Sequence, residues 1–207
     1  LLACPARAAQ LSLYDEEGHA EAFITGTTSN DIVVLSDGSG YFTDPTEEKV
    51  WHFTPKGEKK VVDQGIAFAN GIMTTAGQDF LWVSDTRGRF VYSYRRKADG
   101  GLECKQRYGY LHLPDESGES GADCMALDTE GRLYVTTKLG VQVLDQLGRV
   151  HLIIRKPDSG WLSNCVFGGP KFDTLYVTCG GKVYKRKLKA TGVTPWQPPV
   201  KAPRPGL

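Results

Sequence analysis

The chain has 207 residues, room for one large all-β domain or two small ones. Hydrophobic residues make up 40% and charged residues 24%, within the ordinary globular range, so a real core can form. With 25 basic and 24 acidic side chains the net charge is +1, which gives no reason to expect nucleic acid as a partner, and no run of about 18 apolar residues exists to cross a membrane.

The 24 glycines and 11 prolines suit many tight turns, not long helices. The five cysteines (Cys4, Cys104, Cys124, Cys165, Cys179) show no C-x-x-C spacing. They read as free thiols and favour a reducing compartment, hence a cytoplasmic location. The sequence opens at Leu1-Leu2-Ala3-Cys4 without a starting Met or a signal-like pattern.

In chain order, Leu1 to Cys4, Gln10 to Tyr14 and Ala20 to Ile24 read as strands. A hairpin unit then occurs four times. Asn30 leads Asp31 to Leu35, the turn Ser36-Asp37-Gly38-Ser39-Gly40 and Tyr41 to Asp44. Asn70 leads Gly71 to Met73, the turn Thr75-Ala76-Gly77-Gln78-Asp79 and Phe80 to Asp85. Asp123 leads Met125-Ala126-Leu127, the turn Asp128-Thr129-Glu130-Gly131 and Leu133-Tyr134-Val135. Asn164 leads Cys165-Val166-Phe167, the turn Gly168-Gly169-Pro170-Lys171 and Thr174 to Thr178. The leading residues lie 40, 53 and 41 positions apart, and a third and usually a fourth apolar run follow each hairpin. Four strands per roughly 40 residues is the period of β-propeller blades. The spacing predicts 18 strands, with the first unit lacking its inner strand and the last its outer one. Residues upstream of Leu1 would then complete the ring. The propeller is expected over residues 1–193, followed by a proline-rich extended tail over 194–207.

The inner strand of a blade lines the central channel, so the residue leading it sits at one rim. Asn30, Asn70, Asp123 and Asn164 should therefore converge. Amide carbonyls and a carboxylate are hard oxygen donors, suited to Ca²⁺, or to Mg²⁺ or Mn²⁺ with added waters. The competing reading is that Asn and Asp start strands because they form turns. Arg87, after the second hairpin, could reach a substrate anion from the rim.

The arrangement resembles the senescence-marker-protein/gluconolactonase/luciferin-regenerating family. The motifs that carry the resemblance are Ser29-Asn30-Asp31 with Tyr41-Phe42-Thr43-Asp44-Pro45, Ala69-Asn70-Gly71-Ile72, Asp123-Cys124-Met125-Ala126-Leu127-Asp128, and Asn164-Cys165-Val166-Phe167-Gly168-Gly169. The resemblance spans essentially Leu1 to Val193 and implies a six-bladed propeller, of which about four and a half blades are in this chain. It implies a metal-dependent lactonase or related hydrolase, with the metal on Asn70, Asp123 and a Glu of a first blade that has no counterpart here. Asn30 would contact the substrate or the metal. The family's usual Asp-Gly-Met reads Asp123-Cys124-Met125, and Asp44-Pro45-Thr46-Glu47-Glu48 is shorter than the loop relatives often carry over the site.

The reaction expected is opening of a sugar lactone or related ester on a divalent ion, Ca²⁺ first and Mg²⁺, Mn²⁺ or Zn²⁺ as alternatives. Asp123 would serve as general base, Asn70, Asp123 and Asn30 as metal residues, and Asn30, Asn164 and Arg87 as substrate-binding residues. Phosphotriester hydrolysis on the same ion, or a non-catalytic binding propeller, are the alternatives. The partners expected are a small-molecule lactone and at most a second copy, as a monomer or weak homo-oligomer.

Other features point nowhere specific. His19, His52, His112 and His151 share no spacing, no Gly-x-Ser-x-Gly elbow occurs, and no histidine accompanies Cys124 as a base. Lys185-Arg186-Lys187-Leu188-Lys189 reads as a solvated outer strand. Gly101 to Gly121 accounts for the longer spacing, and Pro114 to Gly118 should lie on the rim side.

Overall fold

The computed structural model describes residues 2–3 and 8–205, and all regular structure in them is strand. The predicted Leu1 and Cys4 strand ends lie outside the described residues. A first antiparallel sheet joins β1 (Leu2–Ala3), β2 (Ala8–Tyr14) and β3 (Ala20–Ser29). Next come β4 (Ile32–Val34), β5 (Gly40–Asp44), β6 (Lys49–Phe53) and β7 (Lys59–Gln64), paired in that order. The following sheet is β8 (Ala69–Thr74), β9 (Phe80–Asp85), β10 (Phe90–Arg96) and β11 (Leu102–Tyr110). Then come β12 (Met125–Asp128), β13 (Leu133–Thr137), β14 (Gly140–Leu144) and β15 (Val150–Arg155). The last blade sheet is β16 (Leu162–Gly168), β17 (Thr174–Cys179) and β18 (Lys182–Lys187), with β18 at its edge.

The first strands β4, β8, β12 and β16 are neighbours in that order, so the sheets fan around one axis as the blades of a partial six-bladed β-propeller. Burial follows position in the blade. Middle strands β13 and β14 are buried along their whole length, so apolar residues dominate them and the polar Thr136, Thr137 and Gln142 are buried alongside. Outer strands β7 and β15 expose half of their residues and tolerate lysine, arginine and histidine.

The core is a series of layers between successive blades. Leu11 and Ile24 pack on Phe42 and Phe53; Val33, Tyr41 and Val50 pack on Ile72, Leu81 and Val83. Trp82 and Val91 meet Met125, Leu127 and Leu133, and Tyr134 and Val141 meet Cys165, Phe167 and Leu175. The inner blades bury both faces against their neighbours, while the last leaves Val166 and Val183 exposed, so no blade is expected to be stable alone.

The strand count differs from the expectation by one. Gly192–Val193 forms β19, which adds antiparallel to β12 rather than to the last blade. Beyond it the tail is pinned to two turns, β8–β9 and β14–β15, at the end of the channel away from Asp123. Gln78 Nε2 donates to the carbonyls of Pro195 and Gln197 at 2.6 and 3.0 Å, the Val200 amide to Ala76 at 2.8 Å, and Gln146 Nε2 to Pro203 at 2.7 Å.

Candidate functional site: a polar channel rim

Strand register sets which residues are equivalent. Ile32 faces Phe42, Ile72 faces Val83, Met125 faces Val135 and Cys165 faces Val177. Two residues before these lie Asn30, Asn70, Asp123 and Ser163. The leading position of the last copy therefore belongs to Ser163. Asn164 sits one residue further in, level with Asp31, Gly71 and Cys124, where it is exposed to the channel cavity. Pairing, not amide identity, fixes the level, and a repeat read by residue type slips by one there.

A recurring hydroxyl holds these leading residues in place. At the end of each second strand, Thr43 Oγ1 donates to the Asn70 carbonyl at 2.6 Å and Ser84 Oγ to the Asp123 carbonyl at 2.9 Å. Thr136 Oγ1 approaches the Ser163 carbonyl at 3.5 Å. Each blade thus grips the next one's leading backbone. Gly71 lets β8 and β12 approach closely, because a Cβ there would lie 2.0 Å from the Asp123 carbonyl oxygen.

The Asn70 side chain is nearly fully buried, and its orientation is settled by Thr86. The Thr86 hydroxyl spends its proton on the Ala122 carbonyl at 2.6 Å, so it can only accept from Asn70 Nδ2, at 2.9 Å. Asn70 Oδ1 is then left buried with no hydrogen-bond partner among the described residues. The same side chain also hydrogen-bonds Asp123. The Asp123 Oδ2 atom accepts the indole N–H of Trp161 at 2.8 Å. Burial raises the Asp123 carboxyl above its ordinary value, while the bonds from Trp161 and Asn70 pull it back.

Asp31, one residue further in, supplies a second carboxylate. Its Oδ1 accepts from the Ile32 amide at 2.8 Å and Oδ2 from the Ile72 amide at 2.9 Å, clamping β4 to β8. Burial pushes its carboxyl up to about 6, the two amides oppose that, and the Asp123 charge adds to it. Asn30 stands at the rim of the neighbouring blade, half-buried, its backbone amide bonded to Thr43 at 2.8 Å. Arg87 is exposed and lays its guanidinium over the Phe68 ring, 5.3 Å from the centroid. Hydrogen bonding to Cys165 and burial push the Cys124 thiol well up, so it is a poor nucleophile. The four described cysteines are free.

The segment before Asp123 is tied to the same rim. Ser120 and Gly121 amides bond the carbonyls of Gly88 and Thr86 at 2.9 and 3.1 Å, and Lys138 Nζ reaches Ser117 Oγ at 3.0 Å. Trp161, Thr86 and Asp31 carry much of this geometry without standing out in the sequence. The recurring second-strand hydroxyl was the one signal present there, as Thr43, Ser84, Thr136 and Thr178.

An orphaned amide oxygen beside a carboxylate is a hard-donor pair that fits a divalent cation. Asn70 Oδ1 is the unpartnered oxygen and the amide that carries it neighbours the Asp123 carboxylate, with Asn30 on the adjoining blade. Separately, ligand atoms of Asp15, Glu17 and His19 lie within 4.8 Å of one another on the exposed β2–β3 turn. Asp15 and His19 already satisfy each other there, Oδ2 to Nδ1 at 2.9 Å.

Fold and rim together define a β-propeller protein with a polar, cation-suited site at one mouth of its channel. The chain belongs to the SMP-30/Gluconolactonase/LRE-like family, whose sequence profile matches residues 8–181. It is 24% identical over 178 residues to a pentonolactonase of Haloferax volcanii, covering 81% of this chain and 58% of the relative. It is 24% identical over 186 residues to a gluconolactonase of Zymomonas mobilis, covering 79% and 51%. The chain thus spans about half the length of the curated relatives it matches. The solved structure of the calcium-binding protein regucalcin from Agrobacterium tumefaciens superposes with a TM-score of 0.75 at 18% identity, over 90% of this chain and 72% of that one.

Proposed function

We propose that the chain carries the rim of a metal-dependent hydrolase that opens a sugar lactone. The reading rests on one observation above all: a buried Asn70 Oδ1 without a partner beside the Asp123 carboxylate. The lactonases among its relatives support the choice of substrate class.

Asn70 and Asp123 would hold the cation, with Asn30 as a third donor or a substrate contact. Bound there, a divalent ion supplies Lewis-acid polarisation of a carbonyl. Calcium is favoured because the donors are neutral amide and carboxylate oxygens, and it takes about 6–8 of them, more than these residues provide. Water, substrate or protein outside this chain would supply the remainder.

The chain's own residues do the rest. Asp123 takes a proton from the attacking water. Trp161 keeps one carboxylate oxygen engaged and so fixes the plane of the group. Asn30 orients the substrate, Asn164 faces the channel below, and Arg87 meets an anionic substituent at the rim.

The test is hydrolysis of glucono- and pentonolactones followed by acid release in the presence of Ca²⁺. Chelation should abolish it, and Asp123→Asn should lower kcat about 100-fold or more. Activity that survives both changes excludes this mechanism.

A further inference from the structure

We propose that Trp161 is a specificity-determining residue, an aromatic platform at the channel mouth for the C–H face of a sugar ring. The proposal rests on the lactonase reading and deepens it by naming the residue that would select hydroxylated lactones over bare ones.

Trp161 lies in the connection between β15 and β16, on the rim that carries Asp123. Two edges of its indole are fixed. The N–H edge donates to Asp123 Oδ2 at 2.8 Å. The far end of the six-membered ring lies over Gly121, where an added Cβ would come within 3.0 Å of Trp161 Cη2 and 2.7 Å of Lys138 Cγ. Gly121 has φ +62°, so the sequence keeps both the backbone turn and the space for the indole free of a side chain.

Despite these contacts the residue is 45% exposed. A large ring held at two edges yet left open to solvent presents a rigid apolar surface directly beside the reacting carboxylate. Buried tryptophans in this fold are packed differently: Trp82 stacks on Tyr108 at 5.5 Å and is 5% exposed. An open indole next to polar groups is the pairing that recognises amphipathic ligands, apolar on one face and hydrogen-bonding at the periphery. A sugar lactone has that character, with ring C–H bonds on its faces and hydroxyls around its edge. Those hydroxyls would find Lys138, Asn30 and Arg87 at the same rim. A lactone without hydroxyls gains nothing from this surround.

The experiment compares Trp161→Ala and Trp161→Phe with the wild-type chain in Ca²⁺, using gluconolactone and the unsubstituted γ-butyrolactone. Calorimetric binding of their ring-opened products, gluconate and 4-hydroxybutyrate, is measured in parallel. Trp161→Ala should raise KM for gluconolactone and weaken gluconate binding about tenfold or more. Trp161→Phe keeps a ring and should recover most of that loss, while losing kcat through the missing N–H to Asp123. Neither variant should change KM for γ-butyrolactone more than about twofold. Equal losses on both lactones, or on both products, overturn the platform and leave Trp161 a structural residue. If the wild type hydrolyses nothing but binds gluconate, and Trp161→Ala abolishes that binding, the platform stands and the lactonase reading falls. If the wild type neither hydrolyses nor binds, both fall.

Discussion

Ser84 and Asp123 belong to different blades, yet the Ser84 hydroxyl donates a 2.9 Å hydrogen bond to the Asp123 carbonyl. The proposed base is therefore positioned by its neighbour blade as much as by its own strand. Ser84 is fully buried, so Ser84→Ala leaves the Asp123 carbonyl short of a donor in a dry place. The expected cost is about 1–2 kcal/mol, read from denaturant melts at unchanged m-value. Lactonase kcat should fall further than that loss of folded protein accounts for.

Calcium should stabilise the chain. At 100 times its dissociation constant the expected gain is about 2.7 kcal/mol, seen as a rise in Tm. In Asn70→Ala the orphaned oxygen is gone, and the Ca²⁺-induced rise should shrink to near zero. A rise of wild-type size in Asn70→Ala would remove that amide from the cation site.

Acid pH should reveal Asp31. Its carboxyl stands at about 6 in the folded chain against 3.8 for an ordinary aspartate, so between these values the folded state holds a proton that the unfolded state has lost. Stability contributed by this group is then present below pH 3.8 and is lost as pH rises through 6, worth at most about 3 kcal/mol. Measured with chelator present, the difference in stability between wild type and Asp31→Asn should move in favour of the variant from pH 4 to pH 7. A flat difference across that window would show that Asp31 titrates normally.

Gly71→Ala should be among the most damaging single changes. The new methyl group would meet the Asp123 carbonyl oxygen at 2.0 Å, and backbone atoms cannot swing aside as a flexible side chain can. We expect a loss of more than about 3 kcal/mol, or failure to fold, judged by circular dichroism and melting. Gly118→Ala, where a Cβ meets nothing within 4 Å, is the matching control and should melt like wild type.

The blade repeat was legible because hairpin periodicity is a local property, and Asn30, Asn70 and Asp123 do fall at one level of the register. Asn164 was misaligned because the sequence offers Ser163 and Asn164 side by side, and only pairing with Val177 decides between them. Strand β19 is two residues long, too short for any alternation to announce it. The roles of Trp161, Thr86 and Asp31 depend on contacts 38, 16 and 41 residues distant in sequence. Nothing in the residues themselves predicts those partners. The hydroxyl series Thr43, Ser84, Thr136 was visible, but only the inter-blade bonds give it meaning.

Strand β18 ends its sheet with one row of amides and carbonyls open, and an open row can template pairing with another molecule. Its side chains guard it: Lys182, Lys185, Arg186 and Lys187 are all exposed, and of these four only Lys182 and Lys187 form ion pairs among the described residues, with Asp158 and Asp173. Mutual repulsion along this border keeps molecules apart in dilute buffer, where charges are felt over about 10 Å. Concentrated salt shortens that reach to about 3 Å, so the same solution condition that suits many purification steps should strip this protein of its defence against clumping.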